Sequence, residues 1–169
     1  AQDVGGYYLR RLRRIYPPML ASMVVSAVTL AFAGTLAASF DVKELIGTLL
    51  GLQDIASLKP GVIVHPFLGN GPLWSLSYEI VFYLIYPFVL MAQGRTKRID
   101  HWIGLTCIFS YVGYVLTYNH FLLVYAYFAI WWCGAAVALE YVGAATRGSS
   151  RIPVLWLAAL TAVSAAVVY

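Results

Sequence analysis

Charge is scarce in this chain. Seven of its 169 residues are acidic and eleven basic, so charged side chains make up 11% against 62% hydrophobic, with a mean hydropathy of +0.78. A soluble domain carries about 25% charged residues. A chain this apolar cannot cover its own surface with polar groups, which excludes a soluble globular domain and points to an integral membrane protein. The net charge of +4 is then no nucleic-acid signal, because the basic residues cluster in loops beside apolar runs. Cysteine is nearly absent: Cys107 and Cys133 each lie in an apolar segment with no CxxC spacing. They read as two small buried hydrophobes and say little about redox compartment. Also missing are a metal-ligand spacing, a P-loop, a GxSxG element and a dinucleotide glycine pattern. No tract is both polar and aperiodic and nothing repeats, so neither a soluble domain nor a linker is expected. The chain opens without Met or a leader-like run and closes in a helical pattern at Tyr169, so it reads as an internal piece of a longer polytopic protein, truncated at both ends.

Long apolar runs are what the chain does have. A transmembrane helix needs about 20 mostly apolar residues, and such runs cover 18–39, 72–92, 102–118 and 121–139, with a fifth beginning at 153–169. The expected fold is an all-α integral membrane protein, a helical bundle of about five spans forming part of one transmembrane domain over 1–169. Pro18, Pro72 and Pro153 sit near span starts, where a missing N–H costs little. Pro87 falls inside the second span and should kink it or end it near Tyr86. Basic residues orient the spans. Arg10, Arg11, Arg13 and Arg14, then Arg95, Lys97 and Arg98, then Arg147 and Arg151 all fall on one side, against Lys43 and Lys59 on the other. By the positive-inside rule the arginine cluster at 10–14 is cytoplasmic and the loop 40–71 lies outside, in an inner or plasma membrane. In that loop Asp41 and Glu44 resemble a capping box, and Val42, Leu45, Ile46, Leu49 and Leu50 recur at helical spacing. A short amphipathic helix is expected there.

Three constellations carry chemistry. Arg11 and Arg14 stand three apart, as do Arg10 and Arg13, so each pair shares a helical face. The planar fork of arginine matches phosphate geometry, and the same cluster equally fits a topology anchor on anionic headgroups. In the second span Ser75, Glu79 and Tyr83 follow at i, i+4 and i+8, with Tyr86 three further on. That is one polar stripe of a helix. A carboxylate in hydrocarbon costs about 3 kcal/mol by insertion scales and more by simulation, so Glu79 is a functional candidate by default; the alternative is a carboxyl that joins helices. Glu79 lies about 10 Å into its span at 1.5 Å per residue. The third constellation is aromatic: Tyr111, Tyr114 and Tyr118 on one span, Tyr125, Tyr127, Trp131 and Trp132 on the next. These fit packing and interfacial belts, or the lining for a sugar acceptor. His65, His101 and His120 all fall in loops or at a span start and read as solvated.

The run Arg11-Leu12-Arg13-Arg14-Ile15-Tyr16-Pro17 before one span, followed about 60 residues later by Leu73-Trp74-Ser75-Leu76-Ser77-Tyr78-Glu79, Phe82-Tyr83-Leu84 and Pro87, resembles the acyltransferase 3 family. The resemblance covers Tyr7 to Pro87; beyond Ala92 only hydropathy is shared. It implies a membrane-embedded O-acyltransferase that takes an acyl group, most often acetyl, from acetyl-coenzyme A or another acyl-coenzyme A on the cytoplasmic side. The acceptor it implies is a hydroxyl of a cell-surface polysaccharide, a peptidoglycan sugar or a similar molecule. Donor binding falls to Arg11 and Arg14. Trp74, Ser75, Ser77 and Tyr83 line the site, and Glu79 has a supporting catalytic role. The family's catalytic histidine lies in an earlier helix, upstream of Ala1, so the fragment is expected to be inactive alone. No bound cofactor, metal or nucleic acid is expected; the partners are the bilayer, the donor and the acceptor. Two readings compete with this one: a transporter or flippase subunit with a proton-relay Glu79, and a purely structural membrane subunit.

Overall fold

The computed structural model describes residues 3–93, 98–141 and 151–168. Arg95, Lys97 and Arg147 of the orienting set, and Tyr169, lie outside the described residues. The chain divides into two compact units, residues 1–84 and 85–169. The helices are α1 (Val4–Phe32), α2 (Leu36–Ser39), α3 (Val42–Leu49), α4 (Trp74–Gln93), α5 (Ile99–Thr117), α6 (His120–Tyr141) and α7 (Arg151–Val168), with 3-10 turns at Phe67–Gly69 and Gly71–Leu73 before α4. α1, α4 with its preceding turn, α5 and α6 are each long and apolar enough to cross a membrane, and α7 is apolar but shorter. The protein is an all-α, multi-pass membrane protein. Its outer surface fits that solvent: Val24, Val25, Phe32, Phe109 and Leu116 are all more than 60% exposed.

α1 departs most from expectation. It begins at Val4, not Pro18, and ends at Phe32, not residue 39. Asp3 caps it by accepting from the Gly6 amide at 2.9 Å. From there to Tyr16 no residue forbids a helix, and Pro17 and Pro18 lie inside it. Two adjacent prolines remove two N–H donors and free the Arg13 and Arg14 carbonyls. In transmembrane helices such gaps are tolerated when nearby groups re-satisfy the backbone. The far end is set by Gly34, whose φ of 70° admits the left-handed turn. The Gly34 amide reaches the Ala31 carbonyl and the Thr35 amide reaches that of Leu30, closing the helix. At about 43 Å, α1 is longer than a hydrocarbon core of about 30 Å. Its arginines are therefore on the helix, in its second and third turns, and not in a preceding loop.

In unit 1 the short helix expected within 40–71 forms as α3, with Asp41 as its cap, although Asp41 accepts from the Lys43 amide and not from that of Glu44. Met19 and Met23 of α1 pack with Phe67 and Leu73, flanked by Tyr16, Leu45 and Leu49. Asn70 pins the loop to α1, donating to the Ser22 hydroxyl at 2.7 Å and to that of Ser26 at 2.9 Å. Tyr16 donates to the Leu49 carbonyl at 2.8 Å. Bonds of this kind matter here because lipid tails are as apolar as Leu and supply no hydrophobic drive between helices.

In unit 2, α5, α6 and α7 pack on one another. α4 does not end near Tyr86; it runs through Pro87 to Gln93, the one lost N–H being tolerated as in α1. Cys107 and Cys133 are buried, as expected of small apolar side chains. Buried Asp100 accepts from the Trp132 indole at 2.8 Å, joining the start of α5 to α6. His120 is not a solvated turn residue: Tyr118 closes α5 in the left-handed conformation, so α6 opens at His120 with the ring 4% exposed. His101 is exposed and accepts at Nδ1 from the Trp156 indole at 3.0 Å, and His65 is exposed. Gly104 lets α7 approach, because a Cβ there would strike the Trp156 side chain at its base and ring. Gly104→Val is expected to destabilise the packing of α7 by about 1–3 kcal/mol. A lowered thermal midpoint in detergent, with faster proteolysis after residue 151, would show it.

Candidate functional site

Helical periodicity gives α4 two adjacent stripes: Trp74, Tyr78 and Phe82 on one, Ser75, Glu79 and Tyr83 on the next. The second carries the sequence-predicted site. Tyr83 donates from its hydroxyl to Glu79 Oε1 at 2.6 Å, the short distance of a hydroxyl bonded to a carboxylate. The Arg11 guanidinium lies 4.5 Å above the Tyr83 ring and 5.3 Å from that of Tyr7, one turn before it on α1. A cation over a ring face is held by about 0.5–2 kcal/mol, more where water is excluded. Tyr8 adds a bond to the Leu84 carbonyl at 3.2 Å. Long side chains of α1 thus reach α4, and Arg11, Tyr83 and Glu79 form one continuous cluster of cation, phenol and carboxyl.

The other predicted residues are placed differently. Arg14 is exposed, so the two arginines are not equivalent: one is turned onto aromatic rings, the other is accessible. Ser75 is exposed, its hydroxyl 3.5 Å from the Pro72 carbonyl. Ser77 is 2% exposed and donates to the Trp74 carbonyl at 2.7 Å, a local bond that keeps its hydroxyl within its own turn. One face of Trp74 is covered by the Lys59 ammonium at 3.8 Å. Tyr86, expected to extend the stripe, packs edge-on against Trp131 at 5.2 Å. The aromatic residues of α6 are mostly packing: Phe128 stacks with Tyr125, Trp131 and Trp132. Tyr111 and Tyr127 line an apolar groove of about 300 Å³ with Leu123 and Leu160.

A second polar cluster escapes the sequence reading. Asp54, fully buried, accepts from Lys59 Nζ at 2.9 and 3.1 Å, from the Ile55 amide at 2.7 Å and from the Tyr78 hydroxyl. One signal was available: between Glu44 and Glu79 these two are the only acidic or basic side chains apart from His65. Among the described residues no group of three or more His, Cys, Asp or Glu could hold a metal ion.

Arg11, Tyr83 and Glu79 thus bring a guanidinium, a phenol and a carboxyl together between α1 and α4. Comparison with known proteins agrees with a transferase. No curated protein and no solved structure matches the chain. A family model for the Acyltransferase domain of the acyltransferase 3 type matches residues 1–169, taking in the part beyond Ala92 where sequence showed hydropathy alone. The chain belongs to the acyltransferase 3 family of membrane acyltransferases.

Proposed function

We propose that this protein moves an acyl group, acetyl in the simplest case, from acyl-coenzyme A at the cytoplasmic face to a hydroxyl of a carbohydrate or similar acceptor. The observation that carries this reading is the contact of Arg11 with Tyr83 at 4.5 Å and of Tyr83 with Glu79 at 2.6 Å, which joins the arginine motif to the acidic helix. In such a transfer the acceptor oxygen attacks the thioester carbonyl, the carbon–sulfur bond breaks, the hydroxyl proton passes to a base and coenzyme A leaves as the thiol. Exposed Arg14 supplies a fork for the donor's phosphates. Arg11, stacked on Tyr83, orders the other end of the cluster. Glu79, with one oxygen already engaged by Tyr83, orients the acceptor hydroxyl or the base that deprotonates it.

The test is acyl transfer from radiolabelled acetyl-coenzyme A by the full-length protein in vesicles made from its native membranes. Arg14→Ala is expected to raise KM for acetyl-coenzyme A about 10- to 100-fold, the loss of one charge-assisted contact pair, with a smaller change in kcat. Transport of a solute with no labelled product at any donor concentration would overturn the reading.

A further inference from the structure

We infer that Asp54 and Lys59 form a clasp that sets the rotation of α4 and thereby aims Glu79, which makes them positioning residues for the transfer proposed above. The inference rests on that reading for its consequence, and on the following geometry for its substance.

Four contacts tie the loop after α3 to the start of α4 and the turn before it. The Gln53 side-chain amide donates to the Leu73 carbonyl at 2.8 Å. Lys59 Nζ lies 3.8 Å over the Trp74 ring and 3.1 Å from the Tyr78 hydroxyl. That hydroxyl in turn donates to Asp54. The loop itself is fixed: the Asp54 amide reaches the Val64 carbonyl at 3.0 Å, and the Phe67 amide donates to the buried Thr48 hydroxyl at 3.0 Å. Asp54 is therefore a fixed anchor, and Tyr78 is held by it.

Tyr78 and Glu79 are consecutive residues, so on a helix their side chains point about 100° apart. Holding Tyr78 to the loop fixes the direction of Glu79. Arg11 grips the adjoining stripe through Tyr83. α4 is thus held on two neighbouring stripes by two cations from two different elements, Lys59 from the loop and Arg11 from α1. An ion pair that served only to close the loop would have no need of the Tyr78 hydroxyl.

The experiment uses the full-length protein in native-membrane vesicles with radiolabelled acetyl-coenzyme A as donor. Tyr78→Phe, which removes the hydroxyl and keeps the ion pair, is expected to lower kcat at least about 10-fold, the scale of a small misplacement. KM for the donor should stay within about two-fold, since donor contacts are untouched. Lys59→Met should do the same, Lys59→Arg should restore most of the rate, and Lys59→Met combined with Tyr78→Phe should be no worse than the poorer single variant, because both act through one link. Spin labels at the exposed positions Leu12 and Leu84 should give one narrow distance in the parent and a broadened distribution in Tyr78→Phe.

Full activity of Tyr78→Phe would overturn the clasp. So would a lowered rate with an unbroadened distance, which would place the Tyr78 hydroxyl in the chemistry itself. Should Lys59→Met fail to accumulate, Tyr78→Phe and Lys59→Arg decide. Loss of transfer in Glu79→Gln with a normal rate in Tyr78→Phe would sink the clasp and leave the transfer reading standing. If the parent forms no acyl product, the transfer reading falls and the distance distribution alone decides the clasp.

Discussion

Glu79→Gln is expected to lower acyl transfer at least about 100-fold, the lower end of what a positioned proton-handling group contributes. Glutamine keeps the size of the side chain and a carbonyl oxygen that can accept from Tyr83, so the packing of α4 should survive. What it loses is the carboxylate charge that orients the acceptor hydroxyl or the base that deprotonates it. KM for acetyl-coenzyme A should change little, because the donor contacts assigned to Arg14 lie elsewhere. Tyr83→Phe, which leaves the carboxyl and the Arg11 stack in place, should cost only about 10-fold, an orienting bond and no more. Steady-state transfer in vesicles separates these cases. A near-normal rate in Glu79→Gln would reduce Glu79 to a packing group and take the proposed mechanism with it.

The second large effect concerns stability. Asp54→Ala should destabilise unit 1 by about 3–5 kcal/mol, the usual cost of removing one partner from a buried ion pair. The remaining partner is confined: the Lys59 side chain is 15% exposed and faces two aromatic rings. Replacing both residues, Asp54→Leu with Lys59→Met, should recover most of the loss, since apolar residues of similar volume often replace a buried pair at no net cost. Thermal midpoints in one detergent would decide this. A single variant within about 1 kcal/mol of the parent, or no better off in the double variant, would show that the pair is not energetically coupled. Activity should stay low in the double variant even where stability returns, because the Tyr78 hydroxyl has lost both partners.

The spans were legible because runs of apolar residues are unambiguous in a chain with so little charge, and α4 begins within two residues of its expected start. The bond between Tyr83 and Glu79 was legible for a related reason: residues four apart on a helix are neighbours. The start of α1 was not, because prolines near an apolar run read as a helix start, whereas here Asp3 caps the helix fourteen residues earlier. Nor was the difference between Arg11 and Arg14, since spacing puts both on one face and only the approach of α4 turns one of them onto a ring. Asp54 and Lys59 belong to a loop without periodicity, and their partners Trp74 and Tyr78 come from α4. His120 was misread because a polar residue beside Asn119 looks like an exposed turn, yet the turn closes at Tyr118 and carries the ring inward.

The continuity of α1 through Pro17 and Pro18 has one more consequence. Because the arginines and the core-buried methionines share a single helix, the number of residues between Arg11 and Met19 acts as a phase angle. Each inserted or deleted residue would swing the guanidinium by about 100° around the axis and shift it about 1.5 Å along it. The interval from the arginines to the prolines is thus tuned to the azimuth of Tyr83, and a loop of equal length would carry no such constraint.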